Sequence, residues 1–309
     1  MNMKNIISSR AVKRRVYWIG EIRKLSGSFA DDFDRLESEL EHEIKGEGIT
    51  ALVEHLRLCG NIPESYGHDT SEEKLYSKYT DALLSLSYNA LGLKSLVLKE
   101  RADAADVEVF AKNYSFVADA KSFRLSRTAK NQKDFKVQAM AGWKRGKPYA
   151  MVVCPIHQLP NSSSQIYKQA IDDNVCLFTY SHLALLLIYS VVESKTKAQQ
   201  LLLKIFQTIK IIQSSSKDAV GYWLAVNRTM LEFSKKIENL WHEEKIASSE
   251  SINIAKEEAL TFLAQEREKI MRMSHQDAIK ELIKVHKIES KIKTINAISD
   301  NGLFTIKSN

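Results

Sequence analysis

Three side chains in one short stretch, Asp106, Asp119 and Lys121, have the types and spacing for metal-assisted hydrolysis. The segment Ala105-Asp106-Val107-Glu108-Val109-Phe110 alternates, and so does Ser115-Phe116-Val117-Ala118-Asp119-Ala120-Lys121, with Lys112-Asn113-Tyr114 between them. That pattern predicts a β-hairpin. Side chains two apart on a strand share a face at roughly 7 Å, so Asp119 and Lys121 point the same way, with Val117 beside them. Asp106, on the partner strand, brings a second carboxylate within bridging distance. Hard cations such as Mg²⁺ take one or two carboxylates and leave the other positions to water and phosphate. A metal there lowers the pKa of a bound water and stabilises charge on an attacked phosphate. The lysine orients the water and offsets the developing negative charge.

A carboxylate two residues before a lysine also occurs at Glu43/Lys45, Glu72/Lys74, Asp134/Lys136, Glu193/Lys195, Glu243/Lys245 and Glu289/Lys291. Most of these lie in helix-like surroundings, where positions i and i+2 diverge around the axis. Asp119 and Lys121 differ in having an apolar, strand-like flank and a strand acid just upstream. The competing reading is a surface hairpin with a solvated aspartate and lysine.

The D…D-x-K pattern resembles that of the PD-(D/E)XK nuclease superfamily. The run from Phe116 to Lys136 is similar, residue for residue, to the corresponding stretch of the HindIII-like type II restriction endonucleases. The same family resembles this chain at Gly60-Asn61-Ile62-Pro63-Glu64, Glu73-Lys74-Leu75-Tyr76-Ser77-Lys78, Ser164-Gln165-Ile166-Tyr167-Lys168-Gln169, Asn174-Val175, His182-Leu183-Ala184 and Ser290-Lys291-Ile292. The resemblance covers roughly residues 47 to 300. It implies a homodimer that hydrolyses double-stranded DNA with Mg²⁺ at AAGCTT, after the first A, leaving 5′-phosphates and 3′-hydroxyls. A cognate methyltransferase that protects host DNA comes with it. Asp106, Asp119 and the Ala120 carbonyl are then metal ligands, and Lys121 positions the water. Glu73 matches a family glutamate that can assist the metal. It also completes a helix-capping box, Thr70-x-x-Glu73, that needs no catalytic role, and both readings stay open. Two other functions share these residues: a DNA-binding protein that does not cleave, and a structure-selective repair nuclease.

Charge agrees with a nucleic-acid partner: the formal net charge is +7 and the pI about 9.1, which favours an anionic ligand. Beyond Lys121 a basic residue recurs at every third position: Arg124, Arg127, Lys130, Lys133 and Lys136. On a helix such a row drifts slowly, so several of these cations share a side and can meet phosphates; a solvated lysine face is the alternative. Asn131, Asp134 and Lys136 have the chemistry for adenine, cytosine and guanine edges. The N-terminal cations Arg10, Lys13, Arg14 and Arg15 could touch a DNA backbone or simply belong to a docked terminal helix.

Composition, 44% hydrophobic and 27% charged, is that of a globular protein. Cys59, Cys154 and Cys176 are few, odd in number and widely spaced, the usage of a reducing compartment. The eight histidines form no H-E-x-x-H motif, which argues against zinc. With no secretory h-region and no apolar run long enough to span a bilayer, the expected location is the cytoplasm.

Strands are expected at Leu93 to Lys99, in the hairpin, at Tyr149 to Cys154 and at Val175 to Thr179. Helices between them begin at the Ser162-Ser163-Ser164-Gln165 run, from about Lys130 to Lys144, and from His182 to Val192. This alternation predicts an α/β fold with a mixed β-sheet core flanked by helices. Upstream, Phe29 to Leu58 reads as two helices broken near Gly46-Glu47-Gly48, and a longer helix runs from Thr70 to Ala90. Downstream of Ser194 the pattern is helical, over Ala198 to Ile212, Asp218 to His242, Ser249 to Ser274 and Gln276 to Val285. The implied divisions are an N-terminal helical extension (1–46), a nuclease core (47–194) and a helical region (195–309). That last region serves either as a dimer contact, or DNA clasp, or as a cover for the sheet.

Overall fold

The computed structural model describes residues 5–98, 104–127, 132–162, 164–212 and 219–297. Five strands form one mixed sheet in sequential order: β1 (Lys94–Val97), β2 (Val107–Phe110), β3 (Ser115–Ala120), β4 (Tyr149–Cys154) and β5 (Val175–Thr179). β1, β2 and β3 pair antiparallel, whereas β3, β4 and β5 pair parallel. The predicted hairpin, β4 and β5 are therefore where the sequence put them; Lys99, the expected end of β1, lies outside the described residues. Every residue of β4 and β5 is buried, as continuous apolar runs in a two-sided parallel sheet must be.

Register is what positions the chemistry. Val107 opposes Ala118 and Val109 opposes Phe116, so one step further along the ladder Asp106 opposes Asp119. The Leu98 N–H donates to the Asp106 carbonyl at 2.8 Å, which holds Asp106 in the sheet on its other side.

Twelve α-helices accompany the sheet in the described residues. α1 (Ser9–Ile22) and α2 (Phe29–Leu58) precede α3 (Ser71–Ala90), which packs on β1, β2 and β3. α2 bends at Gly48, whose φ of 74° needs a residue without Cβ; this is the break expected near Gly46-Glu47-Gly48. The helix expected over Lys130 to Lys144 is instead two pieces, α4 (Gln132–Phe135) and α5 (Val137–Trp143), because Lys136 takes a left-handed φ of 47°. α5 and then α6 (Gln165–Asp172) make the crossovers of the parallel half, and α7 (Tyr180–Val192) follows β5 directly. α8 (Lys195–Ile211) is as anticipated. The next break falls at Ser234 and Lys235, between α9 (Ala219–Phe233) and α10 (Lys236–Met271), not between His242 and Ser249. The exposed Ser249 is a good enough helix former to be carried through, because Glu244, Ala247 and Ser251 around it keep one face of the helix buried. α11 (His275–Val285) and α12 (Ile288–Asn296) complete the described chain.

Chain packing divides the protein into two compact units, Met1–Ala259 and Leu260–Asn309. In the first, two of the N-terminal cations, Arg14 and Arg15, work inside the protein, whereas Arg10 and Lys13 are exposed. Arg14 is ion-paired with Glu43, Glu47 and Glu54. The buried Arg15 guanidinium donates to Glu258 at 2.8 and 3.0 Å and to the carbonyls of Leu58 and Asn61 at 2.6 and 3.0 Å. These pairings replace the DNA-backbone contact their sequence position suggested. In the second unit, no residue of α11 or α12 is buried.

Gly60 locks the segment after β3 into place: its carbonyl accepts from the Phe123 N–H at 3.1 Å, and a Cβ there would meet Pro155 at 2.7 Å. Gly60→Ala is expected to cost about 1–3 kcal/mol, the range for overpacking a fitted site, and to lower the melting temperature in a thermal unfolding scan. An unchanged midpoint would show that Pro155 yields freely.

Candidate active site

Asp119 lies in β3 with 1% of its surface exposed, and Lys121 follows immediately. The Lys121 N–H donates to the Val153 carbonyl at 2.7 Å, and its own carbonyl accepts from the Tyr180 hydroxyl at 3.0 Å. Pinned on both sides, the residue aims its ammonium at Asp119 Oδ2, with which it is ion-paired. Across the hairpin the Asp106 carboxyl is hydrogen-bonded to Asp119. The structure therefore brings together the two acids and the amine that the sequence singled out.

Two further residues join them, and sequence reasoning passed over both. Asp81, on α3, is buried, and Lys78 one turn earlier places its Nζ 3.0 Å from Asp81 Oδ2 and 3.7 Å from Asp106 Oδ1. α3 thus supplies an acid, but it is Asp81 rather than Glu73. The two are eight positions apart, roughly 12 Å along the helix axis. Glu73 stays in the first turn, where its Oε2 accepts from the Asp69 N–H at 2.7 Å and its Oε1 from Arg124 Nε at 3.0 Å. The Glu73 N–H in turn donates to the Thr70 hydroxyl at 3.4 Å, so the capping reading describes it. Glu73 also lies with His68 and Asp69 in an outlying acidic group whose members are mostly exposed. With its carboxylate already taken by Arg124, that group offers little to an ion.

Five charged groups in so small and dry a volume perturb one another. Burial, then the negative charges of Asp81 and Asp119 and the hydrogen bond to Asp119, push the Asp106 carboxyl up to about 9. Burial likewise raises Asp81 to about 7, against the pull of Lys78. Asp119 goes the other way: burial would raise it, but the charge of Lys121 and the hydrogen bond from Asp106 outweigh that and hold it below the usual carboxylate range. Lys121 is raised despite burial by Asp119 and Asp106. Without a divalent cation Asp106 is accordingly the protonated partner and donates to Asp119, as two adjacent carboxyls sharing one proton do.

A hard cation fits this donor set. The converging side-chain ligand atoms are carboxylate oxygens with no histidine or thiol among them, and the buried Asp119 Oδ2 has the Lys121 ammonium as its counter-charge. Oxygen-only ligation with a carboxyl that would have to give up its proton is the chemistry of a Mg²⁺-type site.

Downstream, the predicted basic row is used unevenly. Arg124 is committed to Glu73 and to the carbonyls of Tyr66 and Gly67, both at 2.8 Å, so it braces the loop between α2 and α3 instead of standing free for phosphate. Arg127 donates to Asp134 at 2.5 Å and lies over the Phe123 ring. Lys136 is exposed, with its Nζ 5.4 Å from the Trp143 ring centre, and its charge is felt at Asp119. Lys130 and Asn131 lie outside the described residues, as does the side chain of Lys133.

Comparison with known proteins gives matching results. The family model described as HindIII restriction endonuclease matches residues 16–299. The type II restriction enzyme HindIII of Haemophilus influenzae (strain ATCC 51907 / DSM 11121 / KW20 / Rd) is 37% identical over 267 residues, which is 84% of this chain and 85% of that protein.

The raised carboxyls set a pH dependence with a definite sign. The unfolded chain releases the Asp106 proton near its ordinary value of 3.8, whereas the cation-free fold keeps it up to about 9. Folding therefore retains a proton across that window, and stability falls as pH rises through it; Asp81 adds the same slope up to about 7. The depressed Asp119 works oppositely, below its ordinary value of 3.8. In EDTA, the melting temperature should drop from pH 5 to pH 9 more steeply for the wild type than for Asp106→Asn. Parallel slopes for the two proteins would refute the buried proton.

Proposed function

Because the chain belongs to the HindIII restriction endonuclease family, we propose that it hydrolyses double-stranded DNA at the palindrome AAGCTT, after the first A on each strand. The reading rests on one observation above all: Asp81, Asp106 and Asp119 converge with Lys121 at the end of the central strand of a rigid sheet. A non-cleaving DNA-binding protein would have no use for a buried cluster that costs folding energy.

Water adds to phosphorus as the bond to the 3′-oxygen breaks, which leaves the phosphate on the 5′ end and a hydroxyl on the 3′ end. Asp106, Asp119 and the Ala120 carbonyl would hold Mg²⁺, while Asp81 stays paired with Lys78 beside them. When bound, the ion supplies Lewis-acid charge and a water of lowered pKa. Asp106 gives up its proton to become a ligand. Lys121, fixed by Val153 and Tyr180, orients the attacking water and offsets charge on the phosphate. A fixed ammonium needs no reorganisation when charge develops, which is the physical source of its advantage.

Residues 47–194 form the nuclease core in this reading, with 1–46 a helical extension and 195–309 the helical region. Arg127 and Lys136, with Lys130, Asn131, Lys133 and Asp134, face the major groove in it, Asn131, Asp134 and Lys136 at base edges. The enzyme works in the cytoplasm beside a methyltransferase that protects host DNA. Its three cysteines support that setting, since all are free and buried.

A twofold target calls for two copies related by a twofold axis. α11 and α12 carry apolar stripes, Ile279, Leu282 and Ile283 on one and Ile288, Ile292 and Ile295 on the other, all largely exposed. With the exposed apolar residues at the end of α10, these stripes approach roughly the 800 Å² per partner of a specific interface. A second copy of the chain suits such a self-complementary surface better than DNA, which calls for cations.

On plasmid carrying one AAGCTT site, with Mg²⁺, the purified protein should give linear product whose ends map to the stated cut. Asp119→Ala and Lys121→Ala should each reduce the rate about 10²–10³-fold, as losing a principal electrostatic group does. Intact plasmid under varied salt, or undiminished cutting by Asp119→Ala, would reject the assignment. In analytical ultracentrifugation the wild type should sediment as a dimer and a Leu282→Glu/Ile292→Glu double variant, with unchanged circular dichroism, as a monomer. A variant that still dimerises would move the interface elsewhere.

A further inference from the structure

Lys78 is the one charged member of the cluster to which neither the hydrolytic scheme nor the sequence gave any task. It is not a solvated surface lysine: it keeps 23% of its side-chain surface exposed and makes two carboxylate contacts, 3.0 Å to Asp81 and 3.7 Å to Asp106. One of those partners comes from its own helix and the other from the sheet. The Lys78 ammonium therefore sits between α3 and the start of β2.

Two cations cannot both take the same carboxylate edge. A divalent ion bound to Asp106 would lie at about 2.0–2.1 Å from its oxygen if it were Mg²⁺ and about 2.3–2.6 Å if Ca²⁺. The ammonium 3.7 Å away would then face a double positive charge across a single, half-buried carboxyl. Repulsion between like charges is strongest where solvent screening is weakest. The side chain has an escape route, because its exposed portion lets the ammonium swing toward solvent while it keeps Asp81.

We propose that Lys78 is a positioning residue: it holds Asp81 and Asp106 in register while the site lacks a divalent ion, and it competes with that ion for Asp106. The protein thereby sets the cation concentration at which the centre becomes loaded. The same contact ties Asp81 on α3 to Asp106 beside β2 while the site waits. This inference rests on the metal-site reading above and adds to it a built-in monovalent competitor.

Isothermal titration with Ca²⁺ alone, without DNA, tests the idea on the full-length protein. Lys78→Met should bind Ca²⁺ at least five-fold more tightly than the wild type, and Lys78→Arg, which restores the charge, should return to within two-fold of it. A merely structural lysine would lower the melting temperature on removal but would leave Ca²⁺ affinity unchanged or weaker, and that result overturns the proposal. Lys78→Gln serves as a second uncharged variant if the methionine variant fails to fold, with the same expected direction. Asp119→Ala separates the two levels of the argument. Loss of Ca²⁺ binding in Asp119→Ala with unchanged affinity in Lys78→Met rejects the role of Lys78 alone, whereas undiminished binding in Asp119→Ala rejects the metal site and this proposal with it.

Discussion

Everything at the site depends on opposite charges being forced to share a dry corner of a sheet. A buried carboxylate without a partner is costly, and here two of them, Asp81 and Asp119, lie with the half-buried Asp106 within reach of two ammonium groups and one shared proton. Three negative and two positive groups leave a deficit that the proton on Asp106 makes up. The fold is thus poised for a stronger cation, and the surrounding sheet and helix are rigid enough to keep the corner from relaxing around the imbalance.

That rigidity comes from a division of labour within the sheet. The antiparallel half is built from a tight hairpin, which fixes register locally and so sets Asp106 against Asp119. The parallel half is buried on both faces and needs its helical crossovers. β3 belongs to both halves, which is why a residue just past its end can be gripped by β4 through Val153 and by α7 through Tyr180. The loop braced by Arg124 and the close approach of Gly60 to Pro155 then hold the segment that leads away.

Much of this was legible in the sequence, for identifiable reasons. The alternation around Asp106 and Asp119 and the apolar runs of β4 and β5 are signals of period two and of two-sided burial, which depend little on distant contacts. The resemblance to known nucleases extended that reading over most of the chain. What stayed hidden depended on tertiary packing. Lys78 and Asp81, at i and i+3 on α3, look like an ordinary surface ion pair, and only the docking of α3 against β2 and β3 makes them part of the site. The signal that could have found them is the position of Asp81 immediately before the apolar stretch Ala82-Leu83-Leu84. The sequence left Arg14 and Arg15 open between a DNA contact and a docked helix because their acidic partners lie far away in sequence, and Lys136 breaks its helix without the glycine or proline that announces such a break.

The pairing of Arg15 with Glu258 spans most of the polypeptide. A ribosome delivers the arginine first and the glutamate some 240 positions later, so the guanidinium must wait, hydrated, while the intervening residues are made. Long-range closures of this kind come late, after local helices and hairpins have formed. The wedge that joins α1, the end of α2 and α10 can therefore set only when synthesis is nearly complete, and a truncated product would lack its keystone.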